Sequence, residues 1–335
     1  MEPVMKPDEF RRIVQAATLA PSLHNSQPWR FAVHGDRIEL YGDRTRLVQV
    51  IDPDGRWLHL SCGAALLNAR IAIRAMGRAC EVDLLPSTEQ PELLASVTVG
   101  PWSAPSTEEL TLARAIPRRR THREPFVARR VPLEIVEMLR CTAAAEGCWL
   151  HLLASRHDVA EVSTLLQRAE ADLRADEDYR AELRSWLRGL DSPSVDGVPI
   201  AAVPAGGPDR FRSDVWMRDF TLEGPASATE QPDVAPASVD RPLVVVLGTA
   251  RDEPAAWLRA GMATQRVLLL ATALGLGASP LTQALDLQGY RTQLAGVVGI
   301  DGFPQMVLRL GYRTEAPSPS AGRRPAEDVM DAPRA

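Results

Sequence analysis

The sequence predicts an α+β chain built from two similar halves, each combining helices with short strands. Two observations carry this. An apolar stripe at helical spacing, Phe10, Ile13, Val14 and Ala17, recurs as Ile135, Met138, Leu139 and Thr142, each position displaced by 125. Gly63 and Gly77, inside and after one long apolar segment, recur as Gly261 and Gly275 in another, each displaced by 198. One amphipathic stripe matching another is common. Two matches in the same order point to an internal duplication.

Taken in order, residues 7–19 read as a helix that Pro21 ends. Residues 21–28 form a loop dense in amides and hydroxyls. Trp29, Phe31 and Val33 alternate with polar neighbours in a half-buried strand, Gly35-Asp36 turns the chain, and Ile38 and Leu40 continue in a second strand. Residues 58–76 form a helix buried on most sides, with Cys62, Leu66, Ala69 and Ile73 on one stripe. A short strand at 97–99, a break at 101–105 and a short helix at 108–115 complete the first half. After Pro132 comes the repeated helix, then a strand at 149–153 in the place of the Trp29 strand. Both tryptophans read as core residues.

The offset grows from 125 to 198, so the second half carries 73 additional residues. Val162, Leu165, Leu166, Ala169 and Leu173 lie on one long charged helix continuing to 187. Residues 191–242 are rich in Pro, Gly, Ser, Asp and Ala without periodicity, and Trp216, Arg218 and Phe220 give them anchors. This is the composition of a partly ordered lid. A buried strand at 242–248, a second long helix at 257–274 and a core strand at 305–310 follow. The tail, 317–335, is polar and reads as flexible apart from Arg323-Arg324.

Composition bounds the function. A chain of 335 residues, 45% hydrophobic and with net charge −5, suits a globular protein of about two domains, and its charge argues against general nucleic-acid binding. No apolar run reaches the roughly 20 residues of a membrane span. The N-terminal residues lack the features of a signal peptide, so a cytoplasmic protein is expected. Cys62, Cys80, Cys141 and Cys148 read as buried free thiols in a reducing cytoplasm, and the six histidines show no metal-ligand spacing.

The chemistry centres on Arg118-Arg119-Arg120-Thr121-His122-Arg123-Glu124-Pro125-Phe126. Guanidinium forks and a hydroxyl suit a phosphate. Taken alone, the run also fits a solvated charged face; a nucleic-acid patch lacks the usual interleaved aromatics. Gly275-x-Gly277 is not a dinucleotide fingerprint, because its helix precedes it.

Two further stretches change the reading: Ala20-Pro21-Ser22-Leu23-His24-Asn25-Ser26-Gln27-Pro28-Trp29, and Gly275-Leu276-Gly277-Ala278-Ser279-Pro280-Leu281-Thr282-Gln283. With the arginine run they resemble the FMN-dependent nitroreductase family, and within it the actinobacterial Acg-type branch, in which two nitroreductase units are fused. The resemblance covers nearly the whole chain outside 191–242. It implies a nitroreductase-like sheet-and-helix sandwich duplicated as a pseudo-dimer, with halves 1–116 and 117–335 and a lid insertion in the second. In the ordinary family the phosphate-binding R-x-S-x-R/K-x-F stretch opens the chain; here it lies at the midpoint. The first half keeps the amide-rich loop without an arginine stretch, and the second keeps the arginines but has Ala143-Ala144-Ala145-Glu146-Gly147 in place of the loop. The halves are complementary, which implies one complete site per chain and a monomer.

Carried over by resemblance, Arg119, Thr121 and Arg123 bind the FMN phosphate, Arg123 also approaching the ring's N1–O2 edge. Pro21, Ser22 and Leu23 lie against the ring. Asn25 and Gln27 are its polar companions or hold the loop's own backbone. Ser279, Pro280, Leu281, Thr282 and Gln283 pass the N5 edge, with Thr282 and Gln283 standing where the family commonly has an acidic residue and Gly. Arg323 and Arg324 close over the phosphate or belong to a solvated tail. Thr121 replaces the family's Ser, and one extra residue precedes Phe126. The implied function is reduction of nitroaromatic, quinone or similar small-molecule acceptors by NAD(P)H, with no catalytic side chain and no partner among nucleic acids or membranes. The alternative is an FMN-sequestering protein with a lidded site and little turnover. His24 and His122 read as surface or loop residues.

Overall fold

The protein is described by a computed structural model covering residues 6–203, 213–220, 222, 242–313 and 320–331. In the first half α1 (Pro7–Thr18) starts with Pro at its first position and Asp8 and Glu9 in its first turn, which complement the helix dipole. β1 (Trp29–His34), β2 (Arg37–Gly42), α2 (Arg56–Ala75), β3 (Arg78–Leu84), β4 (Leu93–Trp102) and α3 (Thr107–Ala115) follow. The second half runs α4 (Leu133–Ala144), β5 (Trp149–Leu152), α5 (Arg156–Ala175), α6 (Glu177–Ser185), β6 (Leu187–Arg188), β7 (Val198–Pro199), β8 (Leu243–Thr249), α7 (Pro254–Ala273), β9 (Leu276–Pro280), α8 (Gln283–Asp286), α9 (Gln288–Val298) and β10 (Phe303–Tyr312). A last short turn, α10 (Ala326–Val329), lies near the C-terminus.

The duplication is visible in the sheets. One has the antiparallel order β1-β2-β4-β3, the other β5-β8-β10-β9, so each strand has a counterpart in the same place. The helices α2 and α7 are counterparts too, and they pack on each other between the halves. Gly77 and Gly275 end them in the left-handed region, at φ +76° and +78°. Asn68 and Gln265 join them by a buried hydrogen bond of 2.8 Å. The α+β, internally duplicated architecture expected from the sequence is the one observed.

The structure departs from the sequence reading at several elements. The short strand at 97–99 is the ten-residue β4. β3 adds a half-exposed strand that the sequence reading lacks, with Cys80, Val82 and Leu84 against the core and Glu81 and Asp83 exposed. Of residues 279–283, matched to a loop by resemblance, Ser279 and Pro280 end β9 and Gln283 begins α8, and α9 occupies a connection read without structure. The single helix expected to continue to 187 is two helices. Asp176 adopts an extended backbone and its carboxylate accepts from the amides of Asp178 (2.8 Å) and Tyr179 (3.2 Å), capping a new helix.

The tail also differs from expectation. Residues 320–331 lie on the first half: Asp331 N donates to Phe31 O (2.8 Å), Arg30 pairs with Asp331, and Ala326 and Val329 are buried. Within the expected lid, β7 pairs with β6 and residues 213–220 pack inward, whereas 204–212, 221 and 223–241 lie outside the described residues. No helix among the described residues is long and apolar enough to cross a membrane.

Candidate cofactor site between the halves

A cavity of about 430 Å³ lies where the two halves meet. Its floor comes from both interface helices: Trp57, Leu60, Ser61 and Ala64 of α2, and Gly261, Thr264 and Leu268 of α7.

The arginine segment enters beside β9. Thr121 bridges to Ala278, and His122 N donates to Ala278 O at 2.9 Å. Arg309, fully buried on β10, donates to the carbonyls of His122 (3.3 Å) and Glu124 (2.8 Å) and lies over the Phe126 ring at 4.7 Å. Phe126 also stacks on His122, centroids 4.9 Å apart. The closing Pro-Phe therefore anchors the segment in the core. His122 is buried with it, so it is a loop residue, as the sequence suggested, but not a surface one.

The anchored segment turns Arg119, Arg120, Thr121 and Arg123 to the cavity, and Arg323 joins them from the C-terminal strap. Among the described residues none of these four arginines pairs with a carboxylate. Burial pulls the Arg119 guanidinium down to about 9, and the charges of Arg323, Arg120 and Arg123 add to the effect. Burial likewise pulls Arg123 and Arg323 down to about 10. Arg119 Nε is buried without a partner among the described residues. Buried, mutually repelling guanidinium groups with a free donor need an anionic ligand.

The amide-rich loop forms the facing wall. Pro21, Ser22, Leu23, His24 and Asn25 line the cavity. His24, Asn25 and Gln27 all adopt the left-handed region, at φ 47°, 55° and 51°. Such backbone is rare outside glycine and persists only where surroundings hold it. The holding contacts are clear. Ser22 Oγ accepts from Gln27 N at 2.9 Å. Asn25 Nδ2 donates to Gly197 O (3.0 Å) and Gly322 O (3.2 Å), and its Oδ1 accepts from Arg323 (2.9 Å). Gln27 Nε2 donates to Val195 O (2.8 Å), while its Oε1 accepts from Arg324 N (2.8 Å). These two amides fasten the insertion and the C-terminal strap to the loop. A weaker bond runs from the Gln27 side chain to the loop's own backbone, Asn25 O, at 3.4 Å.

The third stretch supplies Ser279, Pro280, Leu281 and Thr282 to the cavity. Gln27, Gln283 and Arg324 do not reach it. Gln283 is fully buried with both amide atoms unpartnered among the described residues, and Arg324 donates to Gln27 O (3.3 Å) and Asp328 O (2.7 Å).

The insertion closes the remaining side with Val198, Met217, Arg218 and Phe220. Arg218 pairs with the fully buried Asp286, donates to Tyr179 Oη, and reaches Thr282 Oγ1 at 2.9 Å. Burial opposes its charge, but Tyr179, Asp286 and Glu170 outweigh that and hold it above the ordinary arginine value. Phe220 lies between Arg123 (5.2 Å from the ring centroid) and His24 (6.2 Å, edge-on). Trp216 does not line the cavity; its amide is held by Ser163 Oγ at 2.9 Å. Sequence reasoning missed His24. Its signal was only its position inside the loop motif.

The fold and the cavity are those of a protein with relatives. The model of the Nitroreductase family matches residues 1–52 and 116–312. A Mycobacterium tuberculosis protein provisionally named NAD(P)H nitroreductase is 35% identical over 329 residues, covering 97% of this chain and 92% of its own. A second protein of that organism, the similarly named acg, is 34% identical over 330 residues, covering 96% and 95%. Among solved structures, a nitroreductase with bound FMN from Desulfitobacterium hafniense is 12% identical with a TM-score of 0.41, covering 67% of this chain and 98% of that one. From a family match over most of its length and a third of its residues shared with near full-length relatives, the chain belongs to the nitroreductase family.

Proposed function

We propose that the cavity holds one FMN and that the chain is an oxidoreductase passing electrons from NAD(P)H to nitroaromatic, quinone or similar small acceptors. The observation that supports this best is Arg119, a buried guanidinium whose Nε is unpartnered among the described residues, with Arg120, Arg123 and Arg323 also at the cavity. The donor set fits a phosphate monoester, because planar charged forks and the Thr121 hydroxyl match its oxygens. When bound, FMN supplies the hydride chemistry.

The chain supplies the rest. Arg119, Thr121 and Arg323 would hold the phosphate. Arg123 is the cation for the N1–O2 edge, where charge develops on reduction. Pro21, Ser22 and Leu23 would lie against the ring, and Ser279, Pro280, Leu281 and Thr282 would present backbone to the N5 edge. Asn25, Gln27 and Arg324 position the loop and strap, and Gln283 lies behind the N5 segment. Leu23, Leu268, Met217 and Phe220 exclude water from the site. Both halves contribute to a single cavity, which supports a monomer as the working unit.

A second reading is supported by one observation: the insertion wall is fastened through a buried ion pair, Arg218–Asp286, as a storage site would be. The test is the visible spectrum of the purified protein, with released flavin quantified, followed by addition of NADPH. A flavin spectrum bleached by NADPH and restored by a quinone is expected. Absence of FMN, bound or taken up, overturns the proposal; retained FMN that NADPH does not bleach favours sequestration.

A further inference from the structure

We infer that His24 is a substrate-contacting residue, whose neutral imidazole and the Phe220 ring together form a subsite for planar acceptors bearing a ring oxygen, the quinone class. The inference rests on the FMN oxidoreductase reading and adds the acceptor's recognition to it.

Four observations place the subsite. His24 is 7% exposed and lines the cavity. Its Nε2 is buried without a partner among the described residues. Burial, followed by the positive charges of Arg218 and Arg123, lowers its pKa well below the ordinary histidine value, so the ring is neutral. A neutral imidazole carries one N–H and one lone pair, so it offers a donor that does not demand an anion. Its backbone is held left-handed at φ 47° by the Ser22–Gln27 turn and by the insertion fastened to Asn25 and Gln27. Strained backbone of this kind keeps a side chain aimed where relaxed backbone would not.

The surroundings choose the ligand class. Phe220 stands edge-on to the imidazole, and Leu23, Met217 and Val198 give the neighbouring wall apolar surface. Arg218, the nearest cation on the insertion, is already engaged by Asp286, Tyr179 and Thr282. Arg123, on the other side of Phe220, is the cation the FMN reading assigns to the flavin ring, which leaves the insertion wall itself without a cation for an anionic acceptor. A neutral aromatic ring finds apolar contact, and its carbonyl oxygen finds the imidazole N–H. The residues that make the subsite come from the loop of the first half and the insertion of the second, so neither half forms it alone.

The experiment uses the FMN-loaded protein and duroquinone, whose fully substituted ring does not arylate the exposed Cys141. Duroquinone is titrated into oxidised protein, where no electron transfer occurs, and binding is read from the perturbed flavin spectrum. His24→Phe should retain FMN and raise the duroquinone Kd about tenfold, the loss of one hydrogen bond to a buried polar group. His24→Asn keeps a donor and tolerates left-handed backbone, so it should recover most of the affinity. In turnover, KM for duroquinone should rise in the Phe variant by more than KM for ferricyanide, which has no ring to seat. Equal duroquinone affinity in wild type and both variants, with FMN retained, overturns the subsite and leaves the flavin assignment standing. Loss of FMN from both variants overturns it as well, because His24 would then hold the flavin. A wild-type protein that takes up no FMN removes the reading on which the subsite rests, and the subsite with it.

Discussion

Gly63 of α2 and Gly261 of α7 face each other where the two interface helices cross: a side chain on Gly63 would meet the Leu258 carbonyl and stand 3.2 Å from the Gly261 Cα, and one on Gly261 would meet the Leu60 carbonyl. The obstacles are backbone, which cannot swing aside as a side chain can. Gly63→Ala or Gly261→Ala should therefore push the halves apart and destabilise the protein by about 1–3 kcal/mol or more. Urea unfolding measures it. A loss of only a few tenths at both positions would mean the crossing has slack.

The second site that duplication would have made is filled. The offset of 198 relates Leu268, which lines the cavity, to Arg70, and the offset of 125 relates Pro21 to Glu146. Arg70 pairs with Glu146, and Arg266 joins both Glu146 (2.8 Å) and Glu108 (2.7 Å). The Glu146 side chain is 3% exposed. One FMN per chain is expected when released flavin is quantified against protein. Two per chain would contradict the assignment of a single site.

Arg119, proposed to hold the phosphate, makes opposite predictions for binding and for the flavin-free fold. Arg119 lies buried with no carboxylate partner among the described residues, so Arg119→Met removes a desolvated charge. The flavin-free variant should unfold at the same or a higher denaturant concentration than the wild type. Its affinity for FMN should fall about tenfold or more, the worth of a charge-assisted bond, and its affinity for riboflavin should fall less. Equal losses for both ligands would mean that Arg119 does not meet the phosphate.

These relationships differ in how far the sequence announced them. The glycine pairs were legible because a helix crossing demands glycine at the same register in both copies. The arginine segment was legible because phosphate chemistry restricts residue type. The place of Asn25 and Gln27 was not, since their partners lie at 195–197 and 322–324, and backbone carbonyls carry no residue signature. His24 shares that difficulty: the groups that make it neutral, Arg218 and Arg123, come from elsewhere in the chain. β3 carries an alternation of Cys80, Val82 and Leu84, packed on the core, with exposed Glu81 and Asp83, but it follows directly on the long α2 and none of its residues is fully buried.

Glu170 gives the fold a pH dependence of defined sign. It is 2% exposed, Oε2 has no partner among the described residues, and burial raises its pKa to about 7. In the unfolded chain a glutamate titrates at about 4.3. Between these values the folded state holds the extra proton, so this residue's contribution to stability falls as pH rises from about 4.3 to 7. Glu170→Gln should remove that component, and the wild-type-minus-variant difference should change by up to about 1.4 kcal/mol per pH unit across the window. A constant difference from pH 4.5 to 7.5 would show that Glu170 stays ionised in the fold.

Arg218 decides whether the insertion gates the site. Its pair with Asp286 fastens residues 213–220, of which Met217, Arg218 and Phe220 line the cavity, to α8. Breaking a buried pair by removing one member costs about 3–5 kcal/mol, whereas replacing both with apolar groups is often neutral. Arg218→Ala should therefore loosen this wall, and the double variant Arg218→Met with Asp286→Leu should keep it packed. If the wall gates access, stopped-flow bleaching by NADPH should be faster in Arg218→Ala than in wild type or the double variant. Dithionite, a small ion that needs no nicotinamide seat, should reduce all three at similar rates. Lid motion on the μs–ms scale would then set the NADPH rate. Fast NADPH bleaching of the wild type, unchanged by Arg218→Ala, would mean that the wall is no gate and that the reductase reading needs no opening step. Loss of FMN from Arg218→Ala, with FMN retained by the double variant, would instead show that the packed wall is needed to hold the flavin.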